Sequence, residues 1–303
     1  MVYPKPLHPG DTVRLIGVAS RIEGDDLPLE VRKRAEMLEA LGFKVKVDAS
    51  CYRKYGYLCG TDEERAKTLM AAFDDDGADG VWCIRGGYGC LRLLPLVDWQ
   101  VIRANPKAFV GYSDITTLHM AINQRCHLAT FHGPMPGNLP EATWAKQSLL
   151  AALAGDADET LSPAELPPPE VLHPGVGTGE ITGGNLSLVT ASLGTPDEID
   201  TEGKLLFLED VGEKVYALDR YLYELKQAGK FAACSGVILG QFTHCPAEED
   251  GFTLQEVLRD VFADVHKPIV SGLWAGHVDN SLTVPLGRKY CIDTCRGNVY
   301  RCE

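Results

Sequence analysis

Ser113 stands in the run Ala-Phe-Val-Gly-Tyr-Ser-Asp-Ile-Thr-Thr-Leu, where an apolar stretch stops at Gly111 and a helix-like pattern begins at Asp114. A serine mounted there is a nucleophile candidate. A sharp strand-to-helix turn lifts the hydroxyl out of the sheet and aims the following backbone N–H groups at an oxyanion forming beside it. The hydrolase-type elbow has a second glycine two residues after the serine, and here Ile115 occupies that place. Serine and aspartate are also ordinary helix N-caps, so on this run alone capping remains the competing reading.

A nucleophilic serine needs a base, and the base needs an orienting acid. Of the eight histidines, His132, His244, His266 and His277 lie outside the N-terminus, the proline-rich stretch and the helix region after Ser113. His277, in Leu-Trp-Ala-Gly-His-Val-Asp-Asn, follows the apolar run 269–273 at a loop position from which a side chain can face a cleft. Glu209 ends the apolar run Lys-Leu-Leu-Phe-Leu, where an acid is costly unless it is hydrogen-bonded or paired. A structural ion pair with Arg220 or Lys214 is the alternative there, and Asp210 is expected to point to the other face. Arg85-Gly-Gly-Tyr-Gly89 leaves the short strand 81–84 at the carboxyl edge, where ligands of open α/β sheets collect. Its glycines either bring bare N–H donors close to a substrate or only make a tight turn with positive φ.

The elements that must hold these residues alternate. Strand signals at 12–18, 43–47, 80–84, 109–112 and 128–131 are interleaved with helix signals at 28–41, 61–73 and 114–125, the mark of a parallel sheet with helices on its faces. The first helix carries an apolar stripe of Val31, Ala35, Leu38 and Leu41 and is closed by Gly42, and Thr61-Asp-Glu-Glu64 has capping-box spacing. Five prolines between Ser162 and Gly175 mark a break. The expected organisation is a Rossmann-like or flavodoxin-like parallel-sheet domain over 1–156, a Pro-rich linker over 157–175 and a smaller β-rich C-terminal domain over 176–303.

Several chemistries lack their residues. The chain has no H-E-x-x-H, no serine followed three residues later by lysine and no P-loop, and Gly175-Val-Gly177-Thr-Gly179 leads into an extended run instead of a helix. A net charge of −13 with scattered Lys and Arg offers no footprint for nucleic acid or an anionic membrane. The N-terminus has no apolar core of signal-peptide length and no apolar run is of membrane-spanning length, which implies a cytoplasmic protein. The ten cysteines form no C-x-x-C pair and no zinc-finger spacing, so most thiols read as packing residues.

Taken together, the motifs resemble the LD-carboxypeptidase family of serine peptidases, which includes the microcin self-immunity peptidases. The resemblance rests on Ile84-Arg-Gly-Gly-Tyr-Gly89, Gly111-Tyr-Ser-Asp114, Phe131-His-Gly-Pro-Met135, Thr182-Gly-Gly-Asn-Leu186, Leu208-Glu-Asp210, Gly240-Gln-Phe242 and Gly276-His277 leading to Val284-Pro-Leu-Gly287. It implies a catalytic triad of Ser113, Glu209 and His277, an active site between two domains and a homodimer. It also implies a murein tetrapeptide substrate that loses its terminal D-Ala from meso-diaminopimelate during cell-wall recycling, with no metal or cofactor needed. In that setting the backbone N–H groups of Gly87 and Asp114 are expected to hold the oxyanion, and Arg85, Gly86 and Tyr88 to meet the substrate. Where relatives often show Ala-Pro-Ser after the first strand, this chain has Val18-Ala-Ser20. Two rival readings remain. A self-immunity peptidase would cleave aminoacyl or peptidyl nucleotides, with Trp144 and Trp274 as stacking candidates. A non-catalytic protein would bind peptides in the same cleft.

Overall fold

The computed structural model describes residues 1–156 and 160–302; residues 157–159, at the start of the expected linker, and Glu303 lie outside the described residues. Two sheets organise the chain. The strands are β1 (Thr12–Ile16), β2 (Lys44–Val47), β3 (Gly80–Cys83), β4 (Ala108–Gly111), β5 (Thr130–His132), β6 (Glu170–His173), β7 (Val176–Asn185), β8 (Leu205–Val211), β9 (Gly236–Thr243), β10 (Ile269–Ser271), β11 (Val284–Leu286), β12 (Lys289–Asp293) and β13 (Asn298–Arg301). The helices are α1 (Leu27–Glu39), α2 (Asp62–Phe73), α3 (Trp99–Ala104), α4 (Thr116–Cys126), α5 (Thr143–Ala154), α6 (Leu186–Ala191), α7 (Val215–Gln227), α8 (Lys230–Ala233) and α9 (Leu254–Phe262).

The first sheet runs β11-β5-β4-β3-β1-β2 and is parallel except for β11. Every residue of β3 and β4 is buried, as expected of strands covered on both faces. Local chemistry sets the helix starts. Asp26 caps α1, whose Leu27, Val31, Ala35 and Leu38 are buried, and the Thr61–Glu64 capping box opens α2. Apolar clusters cover both faces: Leu69, Phe73, Phe109 and Leu118 on one, and Leu15, Leu38, Trp82 and Phe131 on the other.

The second sheet runs β13-β12-β7-β8-β9-β10-β6, with β7 to β10 parallel at its centre and antiparallel strands at its edges. It is rich in strand, yet its centre is of α/β type: Leu186, Leu218, Leu222, Val261 and Phe262 pack against strand residues such as Leu208 and Leu239. Two details depart from the sequence reading. The proline-rich stretch contains β6, which pairs antiparallel with β10, and β11 from the C-terminal half completes the first sheet beside β5. Neither pairing has a local signal, because each joins segments roughly a hundred or more residues apart.

The sheets meet where β7 ends. Gly184 has φ +137°, and a Cβ there would lie 2.6 Å from Thr116 Oγ1, so only glycine lets the strand come this close to the first turn of α4. The neighbouring Asn185 N–H donates to Thr116 Oγ1 at 3.0 Å. This contact sets the second sheet three residues from Ser113.

Candidate active site

Ser113 follows β4 on a 3₁₀ turn (Ser113–Ile115) that precedes α4. The helix therefore starts two residues later than the expected start at Asp114. No side chain caps either the turn or α4, which removes the capping alternative for Ser113. Its φ is +65°, a left-handed conformation that a non-glycine residue adopts at a cost. Asp114 serves another end: its buried carboxylate accepts from Cys90 N–H at 2.9 Å, tying the serine turn to the segment after the glycine turn. Burial pushes the Asp114 carboxyl up, against the lowering pull of that hydrogen bond.

The glycine turn Arg85-Gly-Gly-Tyr-Gly89 leaves β3 beside Ser113. A Cβ on Gly86 would lie 3.0 Å from Ser113 Cβ, so the two segments are in direct contact. Gly87 has φ +114°, and a Cβ there would fall 2.3 Å from Ser20 Oγ. Ser20 braces the turn from the other side: its N–H donates to Gly86 O at 3.2 Å, and its Oγ accepts from Tyr88 N–H at 3.1 Å. The Tyr88 side chain is 70% exposed and meets Tyr57 edge to face at 6.2 Å. Arg85 turns to the loop after Ser20, where Nη1 donates to Arg21 O at 2.8 Å and lies 3.6 Å from Glu23.

The acid and base come from the second half of the chain. Glu209, fully buried near the end of β8, accepts through Oε2 from His277 Nδ1 at 2.7 Å. A carboxylate can only accept, so Nδ1 carries the proton and Nε2 is left as the basic atom. The alternative ion pairs are absent: Lys214 meets Glu248, and Arg220 lies over the Tyr216 ring. Opposite Glu209, β9 carries a register shift at Gly240–Gln241, the kind of irregularity that re-aims a side chain. A Cβ on Gly276 would lie 2.5 Å from Glu209 Oε2, so glycine is required before the histidine.

Tyr112, the residue before Ser113, packs against the His277 ring with centroids 4.8 Å apart. His277 thus meets Glu209 directly and reaches the serine turn through Tyr112, while Gly86 packs against Ser113. A cavity of about 10 Å³ beside the histidine loop is lined by Tyr112, His132, Asn138, Gly276 and Ser281 among others, and not by Ser113, Glu209 or His277 themselves. A larger one of about 250 Å³, between α9 and the ends of β9 and β10, includes none of the proposed catalytic residues.

Three residues support the site in ways the sequence did not assign. His132, weighed among the candidate bases, is 1% exposed in β5. Asn280 Oδ1 accepts from the N–H groups of Glu141 and Ala142, anchoring the loop after His277 to the start of α5. Asp210, on the other face of β8, accepts from Asn185 Nδ2 and Ser187 N–H, and burial raises its pKa to about 6. An Asx-type signal exists for Asn280 in Asp-Asn-Ser, but its partner lies 138 residues away. Of the two tryptophans, Trp144 packs on the core, whereas Trp274 is 37% exposed with Nε1 bonded to Asp279 O.

Comparison with known proteins gives one family over both halves. The LD-carboxypeptidase N-terminal domain matches residues 13–133 and the LD-carboxypeptidase C-terminal domain residues 178–292. A probable murein peptide carboxypeptidase of Bacillus subtilis is 40% identical over 296 residues, covering 96% of this chain and 91% of the relative. A murein tetrapeptide carboxypeptidase of Pseudomonas aeruginosa is 34% identical over 289 residues, covering 93% and 92%. Among solved structures, the microcin C7 self-immunity protein MccF in complex with aspartyl sulfamoyl adenosine superposes with a TM-score of 0.90 at 25% identity, covering 100% of this chain and 99% of that one.

Proposed function

From the premise that this chain belongs to the LD-carboxypeptidase family, we propose that it is a serine carboxypeptidase that releases the terminal D-Ala from murein tetrapeptides through Ser113, His277 and Glu209. One observation carries the assignment of roles: the buried Glu209 carboxylate bonded to His277 Nδ1, on a ring that packs against the residue preceding a left-handed serine.

In this mechanism His277 Nε2 removes the proton from Ser113 Oγ as the oxygen attacks the scissile carbonyl. Glu209 keeps the imidazole in the required tautomer and stabilises the imidazolium. The tetrahedral oxyanion is held by the N–H groups of Gly87 and Asp114, each such donor being worth about 3 kcal/mol of barrier. His277 then protonates the leaving D-Ala nitrogen, and water, activated by the same base, releases the acyl group from Ser113. Gly86 and Tyr88 border the substrate. Arg85, held by Arg21 O, meets a substrate carboxylate only if it exchanges that bond. The chain works as a cytoplasmic homodimer on recycled muropeptides in this proposal. Among the described residues, no helix is long and apolar enough to cross a membrane.

The test is mass-spectrometric product analysis with L-Ala-γ-D-Glu-meso-diaminopimelate-D-Ala, using the protein and Ser113→Ala, with and without a chelator. Release of D-Ala that survives chelation and disappears in the variant is expected. No release from folded protein overturns the proposal. Trp274, half-exposed three residues before His277, favours one second reading, an aminoacyl sulfamoyl nucleoside as substrate. The same assay with that compound decides between the two.

A further inference from the structure

Glu209 has two oxygens and the proposed triad uses one. Oε2 meets His277, whereas Oε1 is buried with no hydrogen-bond partner among the described residues, a costly state for a carboxylate oxygen. The polar group facing it is His132: Nε2 lies 3.8 Å from Oε1, and neither ring nitrogen of His132 has a hydrogen-bond partner among the described residues. Two orphaned buried groups of complementary type thus sit about 0.6 Å beyond the usual N–H···O range. The His132 ring is held at Phe207 (centroids 5.2 Å, edge to face), Tyr112 (6.0 Å) and His119 (6.3 Å), and the next residue, Gly133, donates its N–H to Gly111 O. A small rotation of the glutamate side chain closes the gap.

We propose that His132 is a positioning residue for the acid: as the neutral Nε2–H tautomer it donates to Glu209 Oε1 and fixes the carboxylate so that Oε2 stays in line with His277 Nδ1. This rests on the triad reading above and extends it by one member. Neutrality matters to the argument. Burial, reinforced by His119 and His277 nearby, holds His132 well below the usual histidine range, so it orients Glu209 without supplying a second positive charge. A charged imidazole in that place would compete with His277 for the carboxylate.

The test compares His132→Leu, which removes the donor at similar volume, with His132→Gln, whose amide nitrogen reaches the former Nε2 position, and His132→Asn, whose amide falls short. The first readout is steady-state kinetics on the murein tetrapeptide. The second needs no turnover: the His277 Nδ1 proton resonance in protein labelled with 15N-histidine. The Leu variant is expected to lose about 10- to 100-fold in kcat, the size of one buried hydrogen bond to a charged group, with KM within about twofold. Its Nδ1 resonance is expected to move downfield, because Glu209, stripped of one donor, becomes the stronger acceptor. Gln restores most of both effects and Asn does not, a contrast that carries the test if Leu fails to fold. An unmoved resonance with kcat within about twofold of the parent overturns the proposal. A moved resonance in a protein without activity on any murein peptide supports the His132 contact and overturns only the hydrolytic reading.

Discussion

The serine end of the site is built from backbone shape and the acid–base end from burial. Ser113 sits at φ +65° on a turn packed against Gly86, with its side chain only partly covered. Glu209 is an ordinary strand residue whose carboxylate is fully buried, held by a histidine and crowded by Gly276 and Gly240. The difference matches what each group needs in its proposed role. A nucleophile must be reachable, and a strained turn lifts it clear of the sheet. An orienting acid must stay fixed and ionised opposite one partner, and exclusion of water strengthens that pairing. Asp210 makes the point within one strand: next in sequence and facing the other way, it accepts from several N–H donors and ties β8 to the start of α6.

If that contrast is right, the largest losses come from removing a reacting group without disturbing either scaffold. Ser113→Ala and His277→Ala are each expected to lower kcat about 10,000-fold or more, with the thermal melt unchanged within a few degrees. Equal activity in either variant breaks the assignment. Glu209→Gln tests the burial side alone. It keeps the volume but allows the wrong imidazole tautomer, so a loss of about 1,000- to 10,000-fold in kcat is expected, with KM little changed.

Gly87→Ala tests the backbone side. The added methyl meets Ser20 Oγ at 2.3 Å and disfavours φ +114°, so the turn moves and about 100-fold in kcat is lost. Adding Ser20→Gly relieves the clash but not the φ penalty, and only partial recovery is expected.

A stability measurement separates buried histidines from reactive ones. His119 is fully buried against Gly111 O, and burial pushes its pKa down from 6.5 to about 4. Below pH 6.5 the unfolded chain takes up a proton that the folded chain refuses until about pH 4. Stability is therefore intact above pH 6.5 and falls by up to about 3 kcal/mol as pH drops to 4. Urea titrations across that range should show the slope, and His119→Gln should flatten it. The smallest effect expected is on Ser113→Gly, which relieves the left-handed strain: about 1 kcal/mol of added stability, read as a rise in Tm, in a protein without turnover.

Much of the first sheet was legible because its signals are local. Period-3.6 stripes, the Thr61 capping box and short apolar runs identify five strands and α1, α2 and α4 to within about two residues, though not the short α3, and the buried positions Val31, Ala35 and Leu38 follow directly. The glycine turn and the Gly-Tyr-Ser turn were visible as motifs, but the choice between cap and nucleophile depends on φ at Ser113, which composition does not encode. The pairing of Glu209 with His277, the β9 register shift, strand β6 among the prolines and the transfer of β11 to the first sheet depend on contacts between distant segments. Arg65 has the same cause. Fully buried, it bonds Val18 O, Gly89 O and Asp62, a role that nothing in its helical surroundings announces.

The place of β11 also orders events during synthesis. The serine-bearing sheet is assembled from residues made early, yet its β5 edge is paired by Val284–Leu286, which leave the ribosome only after the whole second sheet except β12 and β13. Until then β5 presents unpaired backbone groups, the usual template for association between chains. His277 emerges just before β11, so completion of that edge and arrival of the proposed base are nearly simultaneous. We expect a chain stopped before residue 284, with the β5 and β7 edges both open, to be inactive and to aggregate more readily than one stopped between β11 and β12, in which only the β7 edge is open; light scattering of the two released fragments would tell them apart.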